Sequence, residues 1–260
     1  MSGKKGRVRA ERRFALLSVA SRGLLEAGTP GRTLLPKPDP EEAAWLSHAQ
    51  AVRRQPLPLA VATSLPDWLG ERLQNWLGED GALALGHALL SPAPLQLRVN
   101  TLKAQPQAVL DALAAEGMGV KRVPIAPLAL ELEGHPALER SETFLSGQCE
   151  VQDAGSQLLA LLTGARRGQT VIDLCAGAGG KTLALAAAMH SLGQVFACDV
   201  SASRLQRMKP RLLRSGATNV QPFAIDSLTD RKLQRLAGRA DAVLVDAPCT
   251  GTGTLRRNPD

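Results

Sequence analysis

The chain has 260 residues, is 44% hydrophobic and 21% charged, and carries a formal charge of +7, the proportions of an ordinary globular protein long enough to bury a core in one or two domains with a small appendage. No apolar run reaches the roughly 18 residues of a membrane span, and the FALLSVA stretch after the basic start is too short, and lacks a cleavage site, for a secretory signal. With no tyrosine and 3% aromatic residues, a base-stacking sheet of the RNA-recognition-motif kind is not expected.

The charge is uneven. Residues 1–14 hold Lys4, Lys5, Arg7, Arg9, Arg12 and Arg13 against Glu11, a net of +5, which leaves only +2 for the rest. Such an arm attracts RNA or DNA, and a solvated tail reads the same way. A helix is expected over residues 9–27, ended by Gly28, Pro30 and Gly31. Asp39-Pro40-Glu41-Glu42 then opens a second helix with a cap, a first-turn proline and acids at the positive end of the dipole, closed by Pro56 and Pro58. From Ser64-Leu65-Pro66 a third helix carries Leu65, Trp68, Leu69, Leu73, Trp76 and Leu77 at helical spacing, a stripe expected to be core. A short fourth helix lies between Asp80 and Leu90, so residues 1–90 form a helical segment.

The period changes at Leu95. Leu97 and Val99 alternate with polar neighbours as in a strand, residues 106–116 make a helix ended by Gly117 and Gly119, and residues 120–123 and 128–132 supply two more strands. This order predicts a small α+β, ferredoxin-like subdomain over 91–150. Residues 147–152 cross out of it, and a helix over 154–162 packs beside the next domain.

Beyond Gly168 apolar runs at 171–174, 195–198, 220–224 and 242–245 alternate with helical stretches, which predicts an α/β, Rossmann-like parallel sheet over 151–260. The sheet is expected to break off after its fourth strand, incomplete and with an exposed edge. Its first turn is TVIDLCAGAGGKT: strand, glycine turn, helix N-terminus. A P-loop needs glycine where Cys175 stands, and the dinucleotide fingerprint needs one where Thr182 stands. Asp173 at the strand end and Asp199 at the tip of the next fit S-adenosylmethionine better, because it offers ribose hydroxyls to a carboxylate, although an ordinary βα turn remains an alternative. Asp173, Asp199, Asp226 and Asp246 all fall at strand ends that border the crevice of an open parallel sheet. Asp199 could instead cap the next helix, and Asp226 a helix near Leu228.

Asp246-Ala247-Pro248-Cys249, followed by Thr250-Gly251-Thr252-Gly253, presents a thiol on a rigid loop at a strand end. Cytosine C5 is a poor nucleophile, and its methylation needs a thiolate to add at C6 and leave by elimination. Of the other cysteines, Cys175 and Cys198 read as filler and Cys149 is unassigned. The absence of a C-x-x-C pair argues against zinc or a disulfide scaffold and for a reducing cytoplasm. Arg204, Arg207, Lys209, Arg211 and Arg214 form a basic run that either holds RNA phosphate or faces solvent, and Arg256-Arg257 follow the cysteine loop.

Together VIDLCAGAGGKT, FACDVSASRL and VLVDAPCTGTGTLRRNPD, with RVNTLK at 98–103 and GQCEVQDAGSQL at 147–158, resemble the RNA cytosine-5 methyltransferases of the bacterial Sun type, which modify 16S ribosomal RNA. The resemblance covers roughly residues 65–260. It implies a cytoplasmic enzyme that uses S-adenosylmethionine and no metal, with Cys175, Ala176, Gly177, Ala178, Gly179, Gly180, Lys181, Asp199, Arg204, Asp226 and Asp246 at the cofactor. Asp246 would lie near the methionine end and the target base. In this family the cysteine matching Cys249 assists release of product, while attack comes from a Thr-Cys-Ser motif on a later strand, which these 260 residues do not contain. A non-catalytic cofactor- or RNA-binding fragment is therefore the alternative expectation. The NusB-like helical domain that often precedes this fold is expected to be curtailed or absent.

Overall fold

The computed structural model describes residues 38–53 and 57–256. The basic arm, the helix expected over 9–27 and Arg257 lie outside them. The chain divides after Ser91 into two compact units.

The first unit holds α1 (Pro40–Arg53), α2 (Leu59–Thr63) and α3 (Asp67–Leu90). A reciprocal capping pair starts α1: the Asp39 amide donates to Glu42 Oε2 at 2.9 Å and the Glu42 amide to Asp39 Oδ1 at 2.8 Å, which satisfies two otherwise orphaned donors. Helix α3 breaks at Gly78, where φ is 73°, so it comprises the two helices expected. Only part of the stripe is core: Leu65 is buried and Leu69 and Leu73 are half-buried, but Trp68 is 56% and Trp76 75% exposed. The reason is that α2 packs on the small-residue side of α3, with Gly70 facing Leu59 and Gly86 against Thr63, which leaves the tryptophans on an uncovered side.

The second unit contains two four-stranded sheets. β1 (Leu95–Val99), β2 (Val120–Arg122), β3 (Ala129–Leu132) and β4 (Cys149–Val151) form an antiparallel sheet in the order β2-β3-β1-β4. With α4 (Pro106–Ala115) and the one-turn α5 (Glu142–Leu145), this is the βαββαβ arrangement of the ferredoxin-like type. Leu97, Val99, Val109, Leu113, Leu130 and Cys149 make its core. Strand β4 corrects the expectation that residues 147–152 merely leave the subdomain. It is three residues long with Glu150 in the middle, too short for a period-2 signal, and is defined by its antiparallel pairing with β1, where Glu150 stands opposite Arg98.

After α6 (Ala154–Leu162) come β5 (Thr170–Asp173), α7 (Gly180–Ala188), β6 (Gln194–Asp199), α8 (Ala202–Ser215), β7 (Val220–Ala224), α9 (Arg231–Gln234) and β8 (Ala242–Leu244). The strands are parallel in the order β7-β6-β5-β8. The alternation of apolar runs thus reports a Rossmann-like sheet, with β5 at its centre. Val171, Leu185, Met189 and Val195 pack on one face and Ile172, Cys198 and Ile225 on the other, so both faces are covered, as parallel strands require. The outer edge of β8 is unpaired among the described residues.

The sheets are bolted together along the end of α8. Asn100 Nδ2 donates to the carbonyls of Gly147 and Ser215, each at 2.8 Å. Lys103 Nζ donates to those of Ser146 and Arg214, each at 2.7 Å. Gly147 has φ 76°, and a Cβ there would stand 2.1 Å from the Arg214 carbonyl oxygen. Gly147→Ala is therefore expected to destabilise the chain by about 2 kcal/mol or more, from left-handed strain plus overpacking; urea unfolding monitored by circular dichroism measures it.

Candidate functional site

The glycine turn is set by the strands beneath it. The Leu174 amide donates to the Leu244 carbonyl and the Ala176 amide to the Cys198 carbonyl, each at 2.9 Å, so the residues after β5 are tied to both neighbouring strands. Gly179 then takes φ 86° with its α-carbon face against Met208, where a Cβ would approach to 2.5 Å. Only glycine satisfies both demands. No described hydrogen bond uses the amides of Ala178, Gly180 or Lys181, as at the open N-terminus of a helix.

Asp199 is 4% exposed at the end of β6. Its Oδ2 accepts from the Gly177 amide and its Oδ1 from the Ser201 amide, each at 2.8 Å. It does not cap α8, which is the work of Ser201 Oγ, accepting from the Arg204 amide. A carboxylate has about four lone-pair sites, so two bonds leave it able to accept from a ligand. Nor does Asp226 cap a helix near Leu228. Helix α9 begins at Arg231 and is capped by Asp230, while Asp226 sits exposed just past β7.

Asp173, Cys175, Ala176, Gly180, Lys181 and Asp246 come together in an open cleft of about 250 Å³. Lys181 Nζ and Asp246 Oδ2 are 2.5 Å apart, with Asp246 about half exposed. Asp173 is 1% exposed; Thr182 Oγ1 donates to its Oδ2 at 2.7 Å, while its Oδ1 has no partner. Burial pushes this carboxyl up to about 6, against the pull of Thr182 and Lys181. The Cys175 thiol is also pushed up, by burial and then by the charges of Asp199, Asp173 and Asp246.

Gly177, Ala178 and Gly179 form the turn beside the cleft, with Asp199 bonded to the Gly177 amide; Asp199, Asp226, Arg204 and Cys249 do not line the cleft. Arg204 is exposed in the first turn of α8. Cys249 is the exposed cysteine of the four, on the loop after β8, whereas Cys149 and Cys198 are buried with thiols pushed up to about 12. Gln152, Asp153 and Ser156 also line the cleft, and sequence reasoning assigned them no role. Arg211, read only as part of a basic run, donates from NH1 to the Ala178 carbonyl at 2.7 Å and pairs through NH2 with Glu150 Oε1 at 3.4 Å. No group of residues suited to a metal ion occurs among the described residues, and no helix there is long and apolar enough to cross a membrane.

Residues 160–260 match the family described as 16S rRNA methyltransferase RsmB/F, and residues 65–139 match its ferredoxin-like domain. The chain is 33% identical over 209 residues to a probable ribosomal RNA small subunit methyltransferase B of Bacillus subtilis, covering 78% of this chain and 45% of that protein. It is 28% identical to a human 28S rRNA (cytosine(4447)-C(5))-methyltransferase, covering 82% of this chain and 26% of that one. Among solved structures, a methyltransferase homolog protein from Pyrococcus horikoshii superposes with a TM-score of 0.67 at 33% identity, over 76% of this chain and 64% of that one. NSun6 from the same organism, solved with SFG, shares the fold at 22% identity and a TM-score of 0.65, over 72% of this chain and 71% of that one. The chain thus spans less than half the length of the curated relatives named here.

The buried Asp173 has a sign-definite consequence. Its folded value of about 6 lies above the ordinary 3.8, so the folded state holds the proton more tightly. Stability from this group is present at low pH and is lost as pH rises from about 4 through 6. Asp173→Asn is expected to raise stability at pH 7, by up to about 3 kcal/mol at 1.36 kcal/mol per pKa unit, and to flatten the pH dependence of the melting temperature between 4 and 7. Thermal scans across that range measure both.

Proposed function

The chain belongs to the 16S rRNA methyltransferase RsmB/F family, and on that premise we propose that it binds S-adenosylmethionine over the turn at 175–181 and serves methylation of a cytosine at C5 in ribosomal RNA. The observation that carries this reading is Asp199: a buried carboxylate at the tip of β6, locked to the Gly177 amide, beside a cleft bordered by Asp173, Lys181 and Asp246. The residues fit the cofactor. A Cβ on Gly177 would meet nothing within 4 Å, so the turn faces open space, and Asp173 Oδ1 is a buried acceptor that awaits a donor.

S-adenosylmethionine, when bound, supplies an electrophilic methyl group. The chain's own groups orient the reactants. Asp199 would accept from ribose hydroxyls, the unused turn amides would offer donors, and Asp226, just past β7, would add a further carboxylate toward the cofactor. Lys181 holds Asp246 in place at the edge of the cleft, and Asp246 and Cys249 share one four-residue loop. The target base, unstacked from its RNA, enters from that edge. Addition of a thiolate at C6 makes C5 nucleophilic; after methyl transfer, loss of the C5 proton to a base and departure of the thiolate from C6 restore the ring. By the family resemblance Cys249 would assist that release, while the attack would fall to a cysteine of a Thr-Cys-Ser motif that these 260 residues do not contain.

The substrate assignment draws on the relatives. The bacterial relative is named for the small ribosomal subunit, which favours 16S rRNA, while the human one, named for 28S rRNA, supports cytosine C5 as the position. The small antiparallel sheet over 91–150, with the basic side chains of α8 such as Arg204 and Arg207, is the surface we assign to RNA phosphate. Cysteines without disulfide partners and an rRNA substrate suit the cytoplasm.

Calorimetric titration with S-adenosylmethionine tests the assignment. Binding to the wild-type chain is expected, with a loss of at least about tenfold, or 1.4 kcal/mol, in Asp199→Ala. A folded wild-type chain that gives no heat would sink it.

A further inference from the structure

Two of the sequence motifs, residues 98–103 and 147–158, lie outside the parallel sheet and have no place in the transfer chemistry above. They meet along the β1–β4 pairing, and one of their contacts joins two buried side chains. Arg98 Nε donates to Gln152 Oε1 at 2.6 Å, and the two residues are 3% and 7% exposed. A guanidinium has only donors, so the Gln152 carboxamide cannot turn over without setting its own NH2 against Arg98. Its Nε2 is therefore forced to the other side, where no described group accepts from it. Gln152 lines the cleft, and its Nε2, itself buried, lies 3.8 Å from where a Cβ on the cleft-lining Gly180 would stand. The cleft thus holds a buried donor and a buried acceptor, Gln152 Nε2 and Asp173 Oδ1, each without a protein partner.

We propose that Gln152, oriented by Arg98, binds the carboxylate at the amino-acid end of the cofactor, and that Asp173 Oδ1 accepts from its ammonium. An amino-acid zwitterion presents one acceptor group and one donor group a few ångströms apart. It matches the two orphaned atoms and the Lys181 and Asp246 charges that share their cleft. Arg98 is then a positioning residue: it never touches the ligand but decides which end of the carboxamide does. A flipped base also offers donors and acceptors, so the test separates the two sources. The inference rests on the S-adenosylmethionine reading given above.

Gln152→Glu is the discriminating variant. It keeps an oxygen for Arg98 and supplies the buried guanidinium with a counter-ion, so the fold is retained, but it removes the donor. The full chain is titrated with S-adenosylhomocysteine and with 5′-methylthioadenosine, which lacks the amino-acid end. The expected result is an affinity loss of at least tenfold for S-adenosylhomocysteine, less than threefold for 5′-methylthioadenosine, and an unchanged or higher melting temperature. Equal losses for both ligands, or no loss for either, overturn the proposal; so does unchanged nucleoside binding with weakened RNA binding, which would assign the donor to the base. A wild-type chain that binds neither nucleoside removes the cofactor reading itself. Gln152→Met, which strips both ends of the amide, is the second variant and is expected to show the same ligand selectivity with a lower melting temperature.

Discussion

Arg211 grips two structures at once, and much of the site depends on that double hold. Through NH1 it donates to the Ala178 carbonyl inside the glycine turn, and through NH2 it faces Glu150 on β4 of the antiparallel sheet. Glu150 is shared with Arg214, whose guanidinium also lies 4.1 Å from the centroid of the Phe144 ring. Next to these, Asn100 and Lys103 bond the last carbonyls of α8. A partly buried ion cluster such as this adds little net stability, because desolvation cancels much of the attraction. What it does fix is placement: the turn of the parallel sheet is tied to the small sheet by groups whose geometry admits little play. Arg98 and Gln152 belong to the same layer, so the small sheet forms one wall of the cleft.

The strand-end carboxylates show how one crevice holds like charges in different conditions. Asp199 is buried but bonded by two backbone amides. Asp246 is half exposed and faces Lys181. Asp173 is buried with one oxygen unpartnered, and its proton is held more tightly for that reason. The three carboxylates thus keep different partners although they come from the same residue type at the same end of one sheet.

Much of the architecture was legible in the chain. The switch from helical spacing to alternation at Leu95, the four apolar runs after Gly168 and the glycine turn between β5 and α7 are properties of neighbouring residues, and they specified the parallel sheet, three strands of the antiparallel one and the cradle. The misreadings share a cause. The Trp68 and Trp76 stripe has the spacing of a core face, but spacing does not say which side a partner helix covers, and α2 chose the glycines. Strand β4 has no period of its own and was missed. Asp226 stands where a cap could be, yet α9 starts five residues later behind Asp230.

By itself, then, the sequence determined the class of fold, the turn and the residue types at the strand ends, because backbone propensity and hydrophobic period act over a few residues. Only the tertiary structure decided which polar groups have partners. Arg98 finds Gln152 across 54 positions, Asn100 finds Ser215 across 115, and Arg211 finds Ala178 across 33. Satisfying a buried polar group is a condition on three-dimensional neighbours, and no local pattern encodes it. For that reason the donors and acceptors that remain unpaired, Gln152 Nε2 and Asp173 Oδ1, could be recognised only once everything around them was in place.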